Sequence, residues 1–406
     1  MKADTSIITV TRESDPKLFS ALAPSMGVLG VVVEVEMQCV PMEMLEARFK
    51  VITFDELASE SVFEGLMREN KYARVVVYPS VNKATIWYAN PISDEEVNIA
   101  ITEGAFDSTK GYMNFRNENE KAWLEQYGVL DKKKKYKLAD DVLHKVIASQ
   151  ESRLGRYVGR YNHILCKERN NGIPHADIEF NFDFKKHMQV LQTVKKYCKH
   201  NRVPYYNFEI RTTMQDDAML SCCNGRDAMW IDFQAKAADS VDFFGKIEAE
   251  LKPIGFRKHW AKGLGNTDPS YVVTQFPNMK EFVKLIAQFD QNGKFRNIEG
   301  ELWYQEMTEL VSHQSEEGSS RRFSLRRRQS TRESIRRLSR SSLRSNSSKM
   351  NEVVAYELAG FWSEVENVHV SQHPSKNAQC TSGDEEKESS QDGTDKIHND
   401  EEDNQC

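Results

Sequence analysis

A chain of 406 residues with 39% hydrophobic and 10% aromatic content can bury a substantial core, and its length allows two or three domains. Its net charge of −6 is too small to name a partner and argues against a dedicated nucleic-acid binder. The 7 cysteines are odd in number and lack a CxxC pair, which excludes a disulfide framework and a zinc site and reads as reduced thiols in an intracellular compartment.

In chain order, Ser6 to Val10 reads as a short β-branched strand, and Asp15-Pro16 caps a helix running through Leu22. A glycine-bearing turn, Ser25 to Gly30, leads into a strand from Val31 to Val40 that Pro41 ends. No complete nucleotide-binding domain precedes this unit, so the first domain is expected to begin in its middle. The apolar run Met26 to Val33 is stopped by Glu34, well short of the ~20 residues of a spanning helix. The first residues resemble neither a secretory signal nor an arginine-rich transit peptide.

Beyond Pro41 the pattern predicts a helix near Asp55 to Asn70, strands at Ala73 to Tyr78 and Ala84 to Tyr88, and a polar connection to about Lys137. A helix over Leu138 to Arg169 follows, behind a lysine run, Lys132 to Lys135, that reads as solvated surface. Strands are expected at Ile173 to Phe182, Tyr206 to Thr213 and Ala228 to Phe233, separated by amphipathic helices at Phe184 to His200 and Ser240 to Leu251. This order implies an α+β fold whose antiparallel or mixed sheet is packed on one face by helices. Residues 318–349 are dominated by Ser and Arg, and the tail from Asp384 to Asp403 is acidic; neither can offset its ordering entropy, so both are expected to be disordered. A short helix is expected between them at Val353 to Val365.

Two stretches carry chemistry. On the strand Phe208-Glu209-Ile210-Arg211 the two-residue period puts Glu209 and Arg211 on one face, where they could grip a polyol or simply form a same-face ion pair. Downstream, Arg257-Lys258-His259-Trp260-Ala261-Lys262 concentrates cations, an imidazole and an indole, a density that suits either polar-ligand contact or packing.

Together the Glu-x-Arg strand and the His-Trp-Ala-Lys segment resemble the substrate-domain signature of the FAD-dependent aldonolactone oxidases. Asp216 to Ser221, Ile178-Glu179-Phe180 and Asp290 to Asn297 match in the same order, and the resemblance covers roughly Ile7 to Trp303. The Gly27 to Pro41 segment is similar to the last glycine turn and strand of the family's vanillyl-alcohol-oxidase-type FAD-binding domain. Residues 1–45 are therefore expected to be a C-terminal remnant of that domain and 46–313 the substrate domain. Residues 314–349 form an Arg/Ser-rich segment and 350–406 a tail with a short helix. No pyrophosphate-binding glycine loop is present elsewhere, so the chain as it stands is expected neither to retain FAD nor to oxidise a lactone.

The resemblance implies hydride removal from a hydroxyl-bearing carbon of an aldono-1,4-lactone to FAD, which O2 or another electron acceptor then reoxidises. Glu209 would orient or deprotonate the hydroxyl, Arg211 and Lys262 would stabilise developing charge, and Gly27, Gly30, Val31 and His259 would contact the flavin. It also implies peripheral membrane association, in the mitochondrion or endoplasmic reticulum. No metal site is expected. Ser324, Ser330 and Ser339, each preceded by two arginines nearby, suit a basophilic kinase. A second reading is a catalytically inactive relative that acts as a phosphorylation-regulated protein-binding module.

Overall fold

Asp15 accepts a hydrogen bond from the Leu18 amide at 2.9 Å and Pro16 occupies the first helical position, so α1 (Pro16–Leu22) starts where the sequence places it. The computed structural model describes residues 1–106, 118–151, 155–165, 175–262 and 268–295. Neither strand expected ahead of Pro41 joins a sheet. Ser6 to Val10 and Val31 to Val40 are extended chain without ladder partners, and the second is exposed along its length from Val31. β-Branched residues favour a pleated conformation, but a strand needs a neighbour to satisfy its backbone groups. Here Val31 exchanges hydrogen bonds with Met1 at 2.7 and 3.0 Å and the Ser6 carbonyl accepts from the Lys2 amide at 2.8 Å, too few to make a ladder.

The sheet begins instead with β1 (Met44–Thr53), a strand the sequence reading missed. Thr53 and Glu56 form a capping box over α2 (Phe54–Leu57), and a fresh start at Ser59 makes α3 (Glu60–Glu69) a separate helix. Next come β2 (Tyr72–Tyr78) and β3 (Lys83–Pro91), joined by a tight turn with Asn82 in the left-handed region. The expected polar connection holds two helices, α4 (Asp94–Thr102), capped by Ser93 and Glu96, and α5 (Glu118–Lys132). Among the described residues, the long helix expected over Leu138 to Arg169 is three elements, α6 (Tyr136–Glu151), β4 (Arg156–Arg160) and α7 (Tyr161–Leu165), and its expected end at Arg169 lies outside them. Pairing decides this, because Arg156 to Arg160 lies antiparallel to Met44 to Arg48 and its residues join the sheet edge.

The remaining elements follow closely the order expected from periodicity: β5 (Ala176–Asp183), α8 (His187–His200), β6 (Phe208–Thr213), β7 (Ala228–Ala235) and α9 (Ala237–Leu251). The expected start of β5 at Ile173 lies outside the described residues. A short β8 (Arg257–Lys258) and helices α10 (Pro269–Gln275) and α11 (Met279–Phe289) complete the chain. The strands form one sheet in the order β4-β1-β3-β2-β6-β7-β5-β8, every neighbouring pair antiparallel.

One face of the sheet carries Val75, Val77, Phe180, Phe182, Phe208, Ile210, Ile231 and Phe233, buried against α2, α3, α8 and α9. Each such side chain contributes about 1.5–3 kcal/mol of transfer free energy. Helices also cover part of the opposite face, contrary to the one-sided packing expected: α5 and α6 rest on Val51, Val76 and Tyr78. At the far end, Ala21, Val28 and Leu29 share a core with Cys222, Trp230 and the apolar stripe of α11. The strip between these two covers, on β2, β6, β7 and β5, is polar. No helix among the described residues is long and apolar enough to cross a membrane.

Candidate active site

Alternation along four neighbouring strands aligns two rows of side chains on that polar strip. In the first row Glu179 on β5 lies opposite Asp232 on β7, which lies opposite Glu209 on β6. In the second, Asn181 faces Trp230, Trp230 faces Arg211, and Arg211 faces Arg74 on β2. Glu209 and Arg211 therefore share a face, as their spacing requires. They take different partners, however: Glu209 forms an ion pair with Arg74, and Arg211 Nε donates to Glu179 Oε1 at 2.9 Å. The Arg211 guanidinium also lies 4.7 Å from the centre of the Trp230 ring, whose Nε1 donates to Thr213 Oγ1 at 2.7 Å. Stacking and ion pairing fix the guanidinium plane while nearly half of the side chain stays exposed.

The segment after β8 folds over the first row. His259 N donates to the Glu179 carbonyl at 3.1 Å, and its imidazole meets the Trp230 ring edge-on at 5.8 Å. Lys262 then reaches back to three carboxylates, in contact with Asp232 and at 3.2 Å from Asp177 and 3.4 Å from Glu179. Burial disfavours the Lys262 ammonium, but Asp232 and the carboxylates beside it outweigh that and hold its pKa above the usual range. Burial lowers the pKa of His259 despite the pull of Glu179. It also drives the Asp232 carboxyl up to about 7, against the opposing pull of Lys262.

Two acceptors in this cluster have no hydrogen-bond donor: Glu179 Oε2 and Asp232 Oδ1, both buried. A buried carboxylate oxygen without a donor is costly, and the cost is relieved by a proton or by a ligand that brings hydroxyl donors.

The structure thus brings Glu209, Arg211, Lys262 and His259 onto one strip. It adds Glu179, Asp177, Asp232, Arg74 and Trp230, which the sequence reading did not select as site residues. Only register reveals them, because an aspartate in the middle of Met229-Trp230-Ile231-Asp232-Phe233 carries no spacing signal of its own. Gly27, Gly30 and Val31 lie on the flank of the strip through Val28 and Leu29, which share the core around Trp230. Gly27 has φ +74° with open space where a Cβ would stand, whereas Gly30 at φ +147° is explained locally, since a Cβ there would come within 2.6 Å of the Met1 carbonyl. Other matching stretches act as scaffold. Asp290 accepts from the Lys294 and Phe295 amides at 2.7 and 2.8 Å, Trp260 Nε1 donates to the Leu220 carbonyl at 2.7 Å, and Asp217 pairs with Arg12.

The sheet architecture recurs in a solved oxidase structure. The chain superimposes on the crystal structure of cholesterol oxidase from B. sterolicum with a TM-score of 0.56 at 14% identity, covering 74% of this chain and 66% of that one, which shows a shared fold. The chain belongs to the D-arabinono-1,4-lactone oxidase family, whose model matches residues 35–306 and whose members are FAD-dependent oxidoreductases. It is 23% identical to the L-gulonolactone oxidase of Mus musculus over 322 residues, and 30% identical to the D-arabinono-1,4-lactone oxidase of Saccharomyces cerevisiae over 84 residues. The first alignment covers 73% of this chain and 65% of the mouse protein, and the second 21% and 16%. The chain therefore spans a little under two thirds of the length of the mouse relative it matches.

Proposed function

We propose that this protein oxidises an aldono-1,4-lactone of the D-arabinono-1,4-lactone kind with FAD, reoxidised by O2, and that the polar strip binds the lactone beside the flavin ring. The observation that carries this reading is the pair of buried, donor-less carboxylate oxygens on Glu179 and Asp232 beside two cations. A lactone ring bearing several hydroxyls supplies the donors those oxygens lack, while Arg211 and Lys262 supply positive charge where an oxyanion or a reduced ring develops. The residues present fit the ring end of a flavin; the expectation that the chain as it stands does not retain FAD concerns the pyrophosphate end, and flavin still bound after desalting the reconstituted protein tests it. Gly27 leaves room for close approach, and with Gly30, Val31 and His259 it would hold the ring at the Trp230 flank. Bound FAD supplies the two-electron acceptor for the hydride.

The chain's own residues do the rest. Glu209, held by Arg74, orients the reacting hydroxyl. Arg211, braced by Trp230 and Glu179, and Lys262 offset negative charge at the reacting oxygen. His259 orders the loop that carries Lys262, its Nδ1 accepting from the Ala261 amide at 3.1 Å. Membrane contact belongs to the same proposal, and co-sedimentation with vesicles tests it. The three serines suited to a basophilic kinase lie outside the described residues, and phosphate incorporation tests them.

The deciding experiment mixes FAD-reconstituted protein anaerobically with L-gulono-, L-galactono- and D-arabinono-1,4-lactone and follows the yellow flavin absorbance. Bleaching by at least one lactone, followed by H2O2 release when air is admitted, is the expected result. Reconstituted protein that no lactone bleaches would end this reading.

A further inference from the structure

Lys262, Arg211 and the carboxylates of Asp177, Glu179 and Asp232 form a group with one more negative than positive charge, since the remaining pair of the strip, Glu209 with Arg74, is neutral by itself. Glu179 and Asp232 are cross-strand neighbours. Their side chains are 2% and 12% exposed, and each keeps one oxygen that accepts no hydrogen bond, with Lys262 Nζ at 3.4 Å from that of Glu179. Two facing carboxylates in so dry a position cannot both stay ionised at little cost, so one of them is the place where the cluster accepts a proton. Glu179 already receives the Arg211 guanidinium on Oε1. Glu209 is ion-paired with Arg74.

We infer that Asp232 is the general base of the site, its Oδ1 receiving the proton of the lactone hydroxyl, with Glu179 and Lys262 as positioning residues. This inference rests on the lactone-oxidation reading. The step balances: the O–H bond breaks, its proton passes to Asp232 Oδ1, and its electron pair forms the new C=O bond. The C–H bond of the same carbon leaves with both electrons as hydride to the flavin, so the lactone loses two electrons and two hydrogens. Access requires the Lys262 ammonium to swing from the carboxylates toward the reacting oxygen, a movement its flexible stem permits. There it offsets the charge that develops as the proton leaves. The charged and titratable groups facing Asp232 are Asp177 and Glu179 from β5, Glu209 and Arg211 from β6, Arg74 from β2, and His259 and Lys262 from the overlying loop.

Two measurements test this. The first is an infrared titration of the carboxyl C=O stretch on the intact chain without substrate. A protonated carboxyl that ionises near pH 7 is expected in the unaltered protein and in Glu209→Gln, and is absent in Asp232→Asn. Its persistence in Asp232→Asn would overturn the assignment. The second is the pH profile of kcat/KM in FAD-reconstituted protein, expected to rise through about 7 as Asp232 ionises. Asp232→Asn should lose that limb and ~10²–10⁴-fold in kcat, with partial recovery in Asp232→Glu, while His259→Gln keeps the limb. Glu179→Gln should move the limb to lower pH, because the neighbouring charge that raises the Asp232 pKa is gone. An unchanged limb in Asp232→Asn sinks the proposal. If the unaltered protein oxidises no lactone, the lactone reading falls, and the infrared titration still decides whether Asp232 holds the proton.

Discussion

Arg211 shows how much of a candidate site residue's character comes from its neighbours. Spacing alone leaves it a partner for Glu209, but the sheet gives it Glu179 to bind and Trp230 to lie on, which fixes the guanidinium plane while the side chain stays 45% exposed. Arg211→Ala should lower lactone turnover by ~10²–10³ in steady-state assays of FAD-reconstituted protein, and Arg211→Lys should recover little because a point charge cannot reproduce the stacked fork. Glu209→Gln and Lys262→Met should also impair turnover while circular dichroism shows an intact fold. Asp232 makes a second prediction. Its folded pKa of about 7 lies above the ordinary carboxylate range, so the folded state binds the proton more tightly than the unfolded one. Stability from this group is therefore present below about pH 4 and is lost as pH rises toward 7, by up to about 4 kcal/mol. Urea melts of the unaltered protein between pH 4 and 8 should show this decline, and Asp232→Asn should flatten it. Equal slopes in the two proteins would contradict the burial argument.

At the scale of elements, β4 is instructive. Residues 156–160 follow a long amphipathic helix and continue its apolar pattern loosely, yet pairing with β1 overrides helical periodicity. β8 shows a comparable dependence on context. Its Lys258 is 1% exposed and ion-paired with Glu248 of α9 at 3.0 Å, so this short strand is tied to the helix layer through a buried charge pair. Burial lowers the Lys258 pKa, with Glu248 opposing. Lys258→Met alone should cost about 3–5 kcal/mol in chemical denaturation because it strands the Glu248 carboxylate, and the double change with Glu248→Leu should restore most of that. A double variant no more stable than the single one would show that packing rather than charge governs the site.

For the molecule as a whole, residues 1–30 are tied to the far end of the sheet. Leu29, 2% exposed, shares its core with Phe282, Ile286 and Trp230, and the Met219 amide donates to the Ser20 carbonyl at 2.8 Å. Leu29→Ala is expected to cost about 2–5 kcal/mol, measured as a fall in denaturation midpoint without a change in slope. Because Trp230 lies in that core and supports Arg211, the same variant should weaken lactone binding, although Leu29 lies outside the polar rows. A normal KM in a clearly destabilised Leu29→Ala protein would separate this flank from the site.

Much of the architecture was legible in the chain alone. Alternation in Phe208 to Thr213, the short apolar run Ala228 to Phe233, helical spacing in Phe184 to His200 and the Asp15-Pro16 start signal are local properties, written in neighbouring residues and therefore readable. The placement of Glu209 and Arg211 on one face follows from the same period of two. Tertiary structure decided what depends on partners. Val31 to Val40 has the composition of a strand but no ladder partner, Arg156 to Arg160 becomes a strand because β1 is beside it, and Asp232 becomes a candidate site residue only because register sets it between Glu179 and Glu209. A sequence specifies side-chain period within a strand, but which strands lie side by side is fixed by burial of the Phe-rich face against α8 and α9, a long-range condition that no local window contains.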